Sequence, residues 1–153
     1  MDGISCLEGK RVRKARILLS ASVILLAALG IARLRADQAK EAAAGKAAEA
    51  WLRLVDQHEY GKSWEEAGAF FKGAVARGQW EKQISSVRVP LGALQSRKQA
   101  TASYTKQLPG APDGEYVVIQ YQTSFENKTG AIETVTPMLE KDGQWRVVGY
   151  FVR

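Results

Sequence analysis

The chain has 153 residues, 46% hydrophobic and 25% charged, which is ordinary for one globular domain with a short appendage and excludes wholesale disorder. The single cysteine excludes an internal disulfide, and with only one histidine the chain cannot form a zinc site of Cys and His ligands, so we expect no metal ion. The sequence has no phosphate-binding glycine loop, and we expect no cofactor. The net charge of +6 lies almost wholly in residues 1–35, which carry seven basic and two acidic side chains; residues 36–153 are nearly neutral, with 15 basic and 14 acidic ones, so nucleic-acid binding is not expected.

An uncharged apolar run spans residues 17–32, and five positive charges stand immediately before it. At about 1.5 Å per residue a helix over this run is roughly 24 Å long, short of the ~30 Å hydrocarbon core unless the flanking Arg33 and Arg35 reach the interface. The pattern predicts an uncleaved signal anchor over residues 17–35, with residues 1–16 in the cytoplasm and the rest of the chain across the membrane. A cleaved signal peptide that releases an exported protein is the alternative.

Helices are predicted for the first part of the exported segment. Apolar residues recur at helical spacing within residues 37–57. The alanine-rich residues 36–50 are expected to form a helical spacer, and close packing is expected to begin at Trp51, so that residues 51–153 form the folded domain.

Two further helices follow along the chain. Ser63, with Glu66 three residues later, has the pattern of a capping box and predicts a helix that ends at Gly78. Another is predicted over residues 79–87, with Val87 on its apolar face. The aromatic residues of this region are interpreted as the core between helices and sheet: Trp51, Trp64, Phe70, Phe71 and Trp80, with Trp145 from the last strand.

Period-two alternation begins after Ser96 and predicts four strands. They cover residues 98–107, 115–125, 131–141 and 144–152, and the second has the strongest strand pattern because β-branched and aromatic residues fill it. Pro137 within the third argues for an edge position or a bulge. Short connections make neighbouring strands antiparallel, so we predict an α+β domain with helices on one face of a curved four-stranded sheet.

Several blocks of this segment match a family pattern in order. They are Trp51-Leu52 with Leu54-Val55-Asp56, Tyr60 with Ser63-Trp64, Pro90-Leu91-Gly92, Ser96-Arg97, Leu108 to Val118, Glu133 to Thr136, and Gly143 to Phe151. With them, residues 48–153 resemble the bacterial domain of unknown function 4019 (DUF4019). The resemblance implies a bacterial exported or membrane-anchored protein with an architecture similar to the nuclear-transport-factor-2-like cone, and it implies no activity. His58-Glu59 departs from the family, whose members tend to have a small residue or glycine there.

Five residues are candidates for a binding pocket on the concave face of such a cone: Arg97, Tyr104, Tyr121, Glu133 and Tyr150. Arg97, like Arg88, is suited to capture a carboxylate or phosphate, or else to tie a loop to the fold. Glu133 in an apolar cone is suited to act as an acid or base; pairing with Arg146 on the neighbouring strand is the structural alternative. His58 is expected to be a solvated residue at a helix end, and no residue is assigned as catalytic.

These features favour a bacterial envelope protein, a membrane-tethered binding or protein-interaction module on the periplasmic side of the inner membrane. The alternative is a periplasmic or secreted protein, released after cleavage of the signal peptide. An enzyme is the less favoured interpretation, a small cone-type protein that uses a buried carboxylate and a tyrosine. The expected partners are the membrane, through residues 17–35, and an unidentified protein or small molecule. The exposed sheet face is a candidate for pairing with a second copy of the chain.

Overall fold

The computed structural model of the protein describes residues 32–153. The folded domain is the compact unit Gln38–Arg153. Most of the predicted anchor, residues 17–35, lies outside the described part of the chain. None of the helices in that described part is long and apolar enough to span a membrane.

Four helices precede four strands. Helix α1 covers residues 32–56 of the described chain. The remaining elements are α2 (Tyr60–Glu65), α3 (Ala69–Ala74), α4 (Arg77–Leu91), β1 (Leu94–Thr105), β2 (Glu115–Phe125), β3 (Lys128–Leu139) and β4 (Trp145–Val152). The α+β class is confirmed, and β2 has the bounds that the sequence predicts.

The strands form one open antiparallel sheet in the order β1-β2-β3-β4. Because side chains alternate across a sheet, each strand contributes to two faces. The helix-covered face carries the buried Val117, Ile119 and Tyr121 of β2. The opposite face, here called the open face, carries by register Ser96, Lys98, Thr101, Ser103, Thr105, Tyr116, Val118, Gln120, Gln122, Ser124, Ile132, Thr134, Thr136, Met138, Arg146, Gly149 and Phe151.

Pro137 lies in β3, which is an internal strand of the sheet. The pairing of β3 with β4 shifts register between Thr136 and Pro137. Proline has no N–H, so in a regular ladder it would leave a carbonyl of the neighbouring strand without a hydrogen-bond donor. The irregular pairing at this point accommodates it. The predicted bulge is therefore confirmed, and the edge position is not.

The helix predicted from Ser63 to Gly78 is in fact two short helices, α2 and α3. Ser63 lies inside α2 and forms no capping box; its hydroxyl donates to the Tyr60 carbonyl (2.8 Å) and accepts from Trp80 Nε1 (3.0 Å). The break follows Glu66, where the amide of Gly68 donates to the Val147 carbonyl (2.8 Å). This bond ties the break to β4.

Close packing of α1 begins before Trp51. Ala44 and Ala48, within the segment predicted as a spacer, are completely buried in the core. Trp51 packs at 5.8 Å from Trp80 and 5.3 Å from Tyr150, measured between ring centroids. The core assignment is confirmed for Trp51, Phe71 and Trp80; Phe70 is 39% exposed and is not part of it.

Helix α4 buries a different stripe from the one predicted. Trp80, Ile84 and Arg88 are buried at i, i+4 and i+8, whereas Val87 is 44% exposed. The prediction of Val87 as a core residue was wrong because a charged residue occupies the core position next to it. Arg88 therefore requires buried partners.

Candidate functional site

The most unusual group in the domain is the carboxylate of Glu133, which is completely buried in β3. Alternation along the strand places it on the helix-covered face between the buried Ala131 and Val135. It accepts five hydrogen bonds, from Arg88 Nη1 (3.3 Å), Arg97 Nε (2.6 Å), Arg97 Nη2 (3.1 Å), Thr123 Oγ1 (2.6 Å) and Tyr150 Oη (2.6 Å). A carboxylate offers about four lone-pair sites, so these donors occupy its accepting capacity.

A second carboxylate, Asp56 in the last turn of α1, joins the two arginines from the other side. It accepts from Arg88 Nη2 (2.7 Å), Arg97 Nη1 (2.6 Å) and Arg97 Nη2 (2.9 Å). Asp56, Arg88, Arg97 and Glu133 are called the ion-pair cluster below. With two guanidinium groups and two carboxylates its formal charge is zero, so burial isolates no net charge.

The ion-pair cluster connects most of the fold. Its members come from α1, α4, β1 and β3, while Thr123 and Tyr150 add hydroxyl donors from β2 and β4. The guanidinium of Arg88 also lies 4.3 Å from the ring centroid of Phe125 on β2, a cation–π contact. All four strands and the two longest described helices therefore meet at this cluster.

Two pKa shifts follow from this arrangement. Burial alone would lower the pKa of Arg97, but its hydrogen bonds and charge interactions with Asp56 and Glu133 outweigh burial and raise it above the usual value. Burial raises the pKa of Tyr150, and the nearby Glu133 charge and the hydrogen bond to it raise the pKa further. Arg97 therefore stays charged and Tyr150 stays a hydrogen-bond donor at neutral pH.

The structure brings three of the five predicted pocket residues together: Arg97, Glu133 and Tyr150. Tyr121 lies opposite Glu133 in the β2–β3 register but does not bond to it. Its hydroxyl is buried, and no described protein group accepts or donates a hydrogen bond there. Burial, with a smaller effect of the Glu49 charge, raises the pKa of Tyr121 to about 12.

Tyr104 belongs to a different group of side chains. Its hydroxyl bonds to Glu115 (2.9 Å) and accepts from Lys40 (3.0 Å), and Lys40 also bonds to Glu115 (2.5 Å). This partly exposed group joins α1 to the start of β2. Tyr104 lies on the helix-covered face like Glu133, but the two residues share no hydrogen-bond partner among the described residues.

The proposed pairing of Glu133 with Arg146 is also wrong. The β3–β4 register places Arg146 opposite Met138. Its guanidinium binds the carboxylates of Glu140 (2.9 Å) and Asp142 (2.8 Å) in the β3–β4 connection. The register thus sets Arg146 at the opposite end of the strand pair from Glu133.

Sequence reasoning left two members of the cluster out of the predicted pocket, although it named Arg88 as suited to bind a carboxylate. Asp56 stands in a block that carries the family resemblance, but nothing in its neighbourhood marks it as part of a site. Arg88 gave a usable sign of a buried charge in its spacing of four and eight residues from Ile84 and Trp80. His58 itself is exposed and bonds to none of these groups, and its ring lies edge-on to Tyr60.

The described residues offer little for catalysis or metal binding. No group of three or more His, Cys, Asp or Glu side chains within residues 32–153 is arranged to hold a metal ion. Glu133 would have to lose an existing hydrogen bond before it could take a proton from a substrate, because its accepting positions are occupied. The ion-pair cluster therefore serves to hold the elements of the domain together.

An open groove lies elsewhere in the domain, between α1 and the first residues of β4. Its volume is about 400 Å³. Ala47, Ala50, Trp51 and Leu54 contribute from α1, Lys62 and Glu66 from α2 and its C-cap, and residues 144–147 from the β3–β4 connection and β4. Apolar surface with a few polar side chains is typical of small-ligand sites, so the groove is the better candidate for binding.

One family matches the sequence, described as a protein of unknown function (DUF4019), over residues 47–150. The chain belongs to the DUF4019 family. The match includes all four residues of the ion-pair cluster and every residue that lines the groove, so the DUF4019 segment and the folded unit largely coincide. No curated protein and no solved structure matches the chain.

Proposed function

We propose that this DUF4019 protein is a membrane-tethered module that binds a ligand or a partner on the periplasmic side of the bacterial inner membrane. The tether is the apolar run of residues 17–32 with its preceding basic residues. The near-neutral domain is a stable carrier for the binding surface. An architecture related to the nuclear-transport-factor-2-like cone belongs to the same proposal.

The observation that carries a binding role is the contrast between the ion-pair cluster and the groove. The strongest acid–base candidate, Glu133, is completely buried and already accepts five hydrogen bonds. The groove is open and amphipathic. Reactive groups are thus committed to the fold, whereas accessible concave surface remains for recognition.

Location and topology are tested on the full chain in bacterial cells. We expect the protein in the inner-membrane fraction with an intact mass that includes residues 1–35. Protease added to spheroplasts should digest residues 36–153 but leave a cytoplasmic control protein intact. A soluble periplasmic form that lacks the first 35 residues would show that the apolar segment is a cleaved signal peptide and not an anchor. A domain that remains protected from protease would refute export.

The alternative is a small enzyme that uses Glu133 with Tyr150, which donates to it at 2.6 Å. This requires a substrate to displace one of the present donors. Any turnover found for the protein should then be abolished in Tyr150→Phe, which retains the ring packing against Trp51. Turnover that survives this substitution would remove Tyr150 from the mechanism.

Homodimer formation through the open face of the sheet is a further part of the proposal. Most residues that the register places there are uncharged; Lys98 and Arg146 are the exceptions, and Phe151 is 60% exposed. Depletion of charge is the compositional mark of protein interfaces. Four strands about 4.8 Å apart, of 12, 11, 12 and 8 residues, cover at most roughly 680 Å². Two copies therefore bury up to about 1,400 Å², above the ~1,000 Å² that a specific interface needs.

A further inference from the structure

We propose that the groove between α1 and β4 binds an organic cation, a ligand with an apolar or aromatic body and one protonated amine or quaternary ammonium group. The inference rests on the binding function proposed above and names the ligand class. It comes from three properties of the groove, which are its space, its uncompensated charge and its aromatic walls.

The space exists because α1 presents small residues toward β4. Ala47 and Ala50 line the groove from α1, and Trp145 and Val147 line it from β4. A volume of about 400 Å³ is within the range of small-ligand sites. Larger side chains at the two alanine positions would fill this space, so the groove is a consequence of the alanine-rich sequence.

The charge in the groove is unevenly compensated. Lys62 pairs with Glu59 at 3.2 Å, and Arg146 pairs with Glu140 and Asp142. Glu66, the third charged residue of the lining, makes no ion pair within the described chain, residues 32–153. The basic groups are thus already neutralised, and the remaining charge is negative, which complements a cation and repels an anion.

Tryptophan adds a second attraction for the same charge. Trp145 lines the groove and is partly exposed, whereas Trp51 lines it with only 3% of its surface exposed. The face of an indole ring carries negative electrostatic potential and attracts ammonium groups, most strongly where water is partly excluded. A single carboxylate with one accessible indole, that of Trp145, suits an alkylammonium ion. It does not suit a metal ion, which needs several oxygen ligands.

The experiment uses the full chain in a mild non-ionic detergent, with benzyltrimethylammonium as the probe and ligand-detected NMR as the readout. Neopentylbenzene, the neutral analogue of nearly the same shape, is the matched probe for apolar affinity, and phenylacetate is the anionic one. We expect saturable binding of the cation in the millimolar range. Affinity for the neutral analogue should be about fivefold lower, with no binding of the anion.

Variants locate the binding to the groove. Glu66→Gln should weaken cation binding about fivefold, as expected for one partly exposed charge pair, and Trp145→Leu should weaken it to a similar extent. Glu65→Gln is the matched control, since Glu65 is the neighbouring glutamate, pairs with Arg77 and does not line the groove. Ala50→Phe should abolish binding by filling the groove, and because Ala50 is exposed, the fold should persist.

The source of the cation is distinguished by a second probe, a short lysine-containing peptide and its Nε-acetylated form. Binding of the unmodified peptide alone supports the site and indicates a protein partner, whereas binding of benzyltrimethylammonium alone supports it and indicates a small amine. Equal binding of the cation and its neutral analogue, or unchanged binding in Glu66→Gln, would overturn the proposal. A cytoplasmic location would instead refute the proposed function and leave this cation affinity intact.

Discussion

Glu133 illustrates how a buried charge is tolerated in a small domain. Removing a carboxylate from water is unfavourable by several kcal/mol, and only close partners with full hydrogen bonding offset this. Two guanidinium groups and two hydroxyls supply those partners. Because every member balances another, loss of one leaves an uncompensated charge inside the protein.

Glu133→Gln is therefore expected to destabilise the domain by about 3–5 kcal/mol, the usual effect of breaking a buried ion pair. The measurement is urea unfolding of the full chain in detergent, followed by tryptophan fluorescence. Glu140→Gln is the control, because it removes a carboxylate from the more exposed pair with Arg146 and should reduce stability by less than about 1 kcal/mol. Similar losses in the two variants would contradict the role assigned to the cluster.

Tyr121 predicts a pH effect on stability. Its pKa rises from 10.0 to about 12 in the folded protein, so above pH 10 the folded state retains a proton that the unfolded state releases. The stabilisation from this group is complete below pH 10 and is lost as the pH rises through 12. Tyr121→Phe should flatten the alkaline fall in the free energy of unfolding by up to about 1.4 kcal/mol per pH unit between pH 10 and 12.

The same substitution should change stability little at pH 7, because the buried hydroxyl has no partner among the described residues. Tyr104→Phe is the comparison, since the Tyr104 hydroxyl bonds to Glu115 and Lys40. Chemical denaturation at pH 7, 10, 11 and 12 gives the slopes. An alkaline slope that is identical in Tyr121→Phe and the unmodified protein would show that other groups carry the effect.

At the scale of an element, the end of α1 shows how the backbone limits the choice of residue. His58 has φ +60°, in the left-handed region that favours glycine. The His58 amide donates to the Val55 carbonyl (3.1 Å) and the Glu59 amide to the Leu54 carbonyl (2.9 Å), which is the Schellman pattern of helix ends. This positive φ explains why the family resemblance implies a small residue or glycine at this point of the chain.

His58→Gly is expected to stabilise the domain by about 0.5–1 kcal/mol, because glycine adopts positive φ without a Cβ clash but loses more freedom on folding. His58→Ala removes the same imidazole and keeps the Cβ, so it should bring no such gain. Thermal unfolding of the three proteins provides the comparison. A gain in both variants would attribute the effect to the imidazole and not to the backbone.

Elements were predictable from the sequence to different degrees, for physical reasons. β2 was predictable residue by residue because its alternation and its flanking turns agree. The break between α2 and α3 was not, because a long-range bond from the Gly68 amide to the Val147 carbonyl holds it, and Ser63 contacts Trp80 from a third helix. Local patterns carry no information on such distant partners.

The candidate site shows the same limit. Glu133 stood out from the sequence as a charge on an apolar strand face. Its partner Arg88 lies 45 residues away in the chain, and Asp56, which bonds to the same arginines, lies 77 residues away. Helix spacing alone places Arg88 on the Trp80 side of α4, yet nothing local identifies its partners. The groove was not predicted at all, because it depends on the packing of α1 against β4.

For the whole molecule, the two sides of the sheet have different compositions and hence different roles. The helix-covered face buries the core and the ion-pair cluster. Only Lys98 and Arg146 are charged among the residues that the register places on the open face, although a quarter of all residues in the chain are charged. A sheet face in contact with water ordinarily carries a similar fraction of charged residues. The low fraction on the open face therefore favours contact with another protein surface.

The dimer through this face predicts a difference between two equally exposed apolar residues. Phe151 on the open face is 60% exposed, and Val89 on α4 is 59% exposed. Phe151→Asp places a charge in the interface of each copy and should weaken dimerisation at least tenfold, as expected for an unpaired charge in a desolvated contact. Val89→Asp should leave it unchanged.

Sedimentation of the full chain, with the detergent density-matched, gives the mass of each variant over a range of concentrations. We expect a dimer for the unmodified protein and for Val89→Asp, and a shift toward monomer for Phe151→Asp. Thr134→Cys in a Cys6→Ser background should form a disulfide-linked dimer on mild oxidation, because Thr134 lies opposite Phe151 on the same face, while Lys82→Cys on α4 should not. A monomeric unmodified chain, or equal crosslinking at the two positions, would refute dimerisation through the sheet.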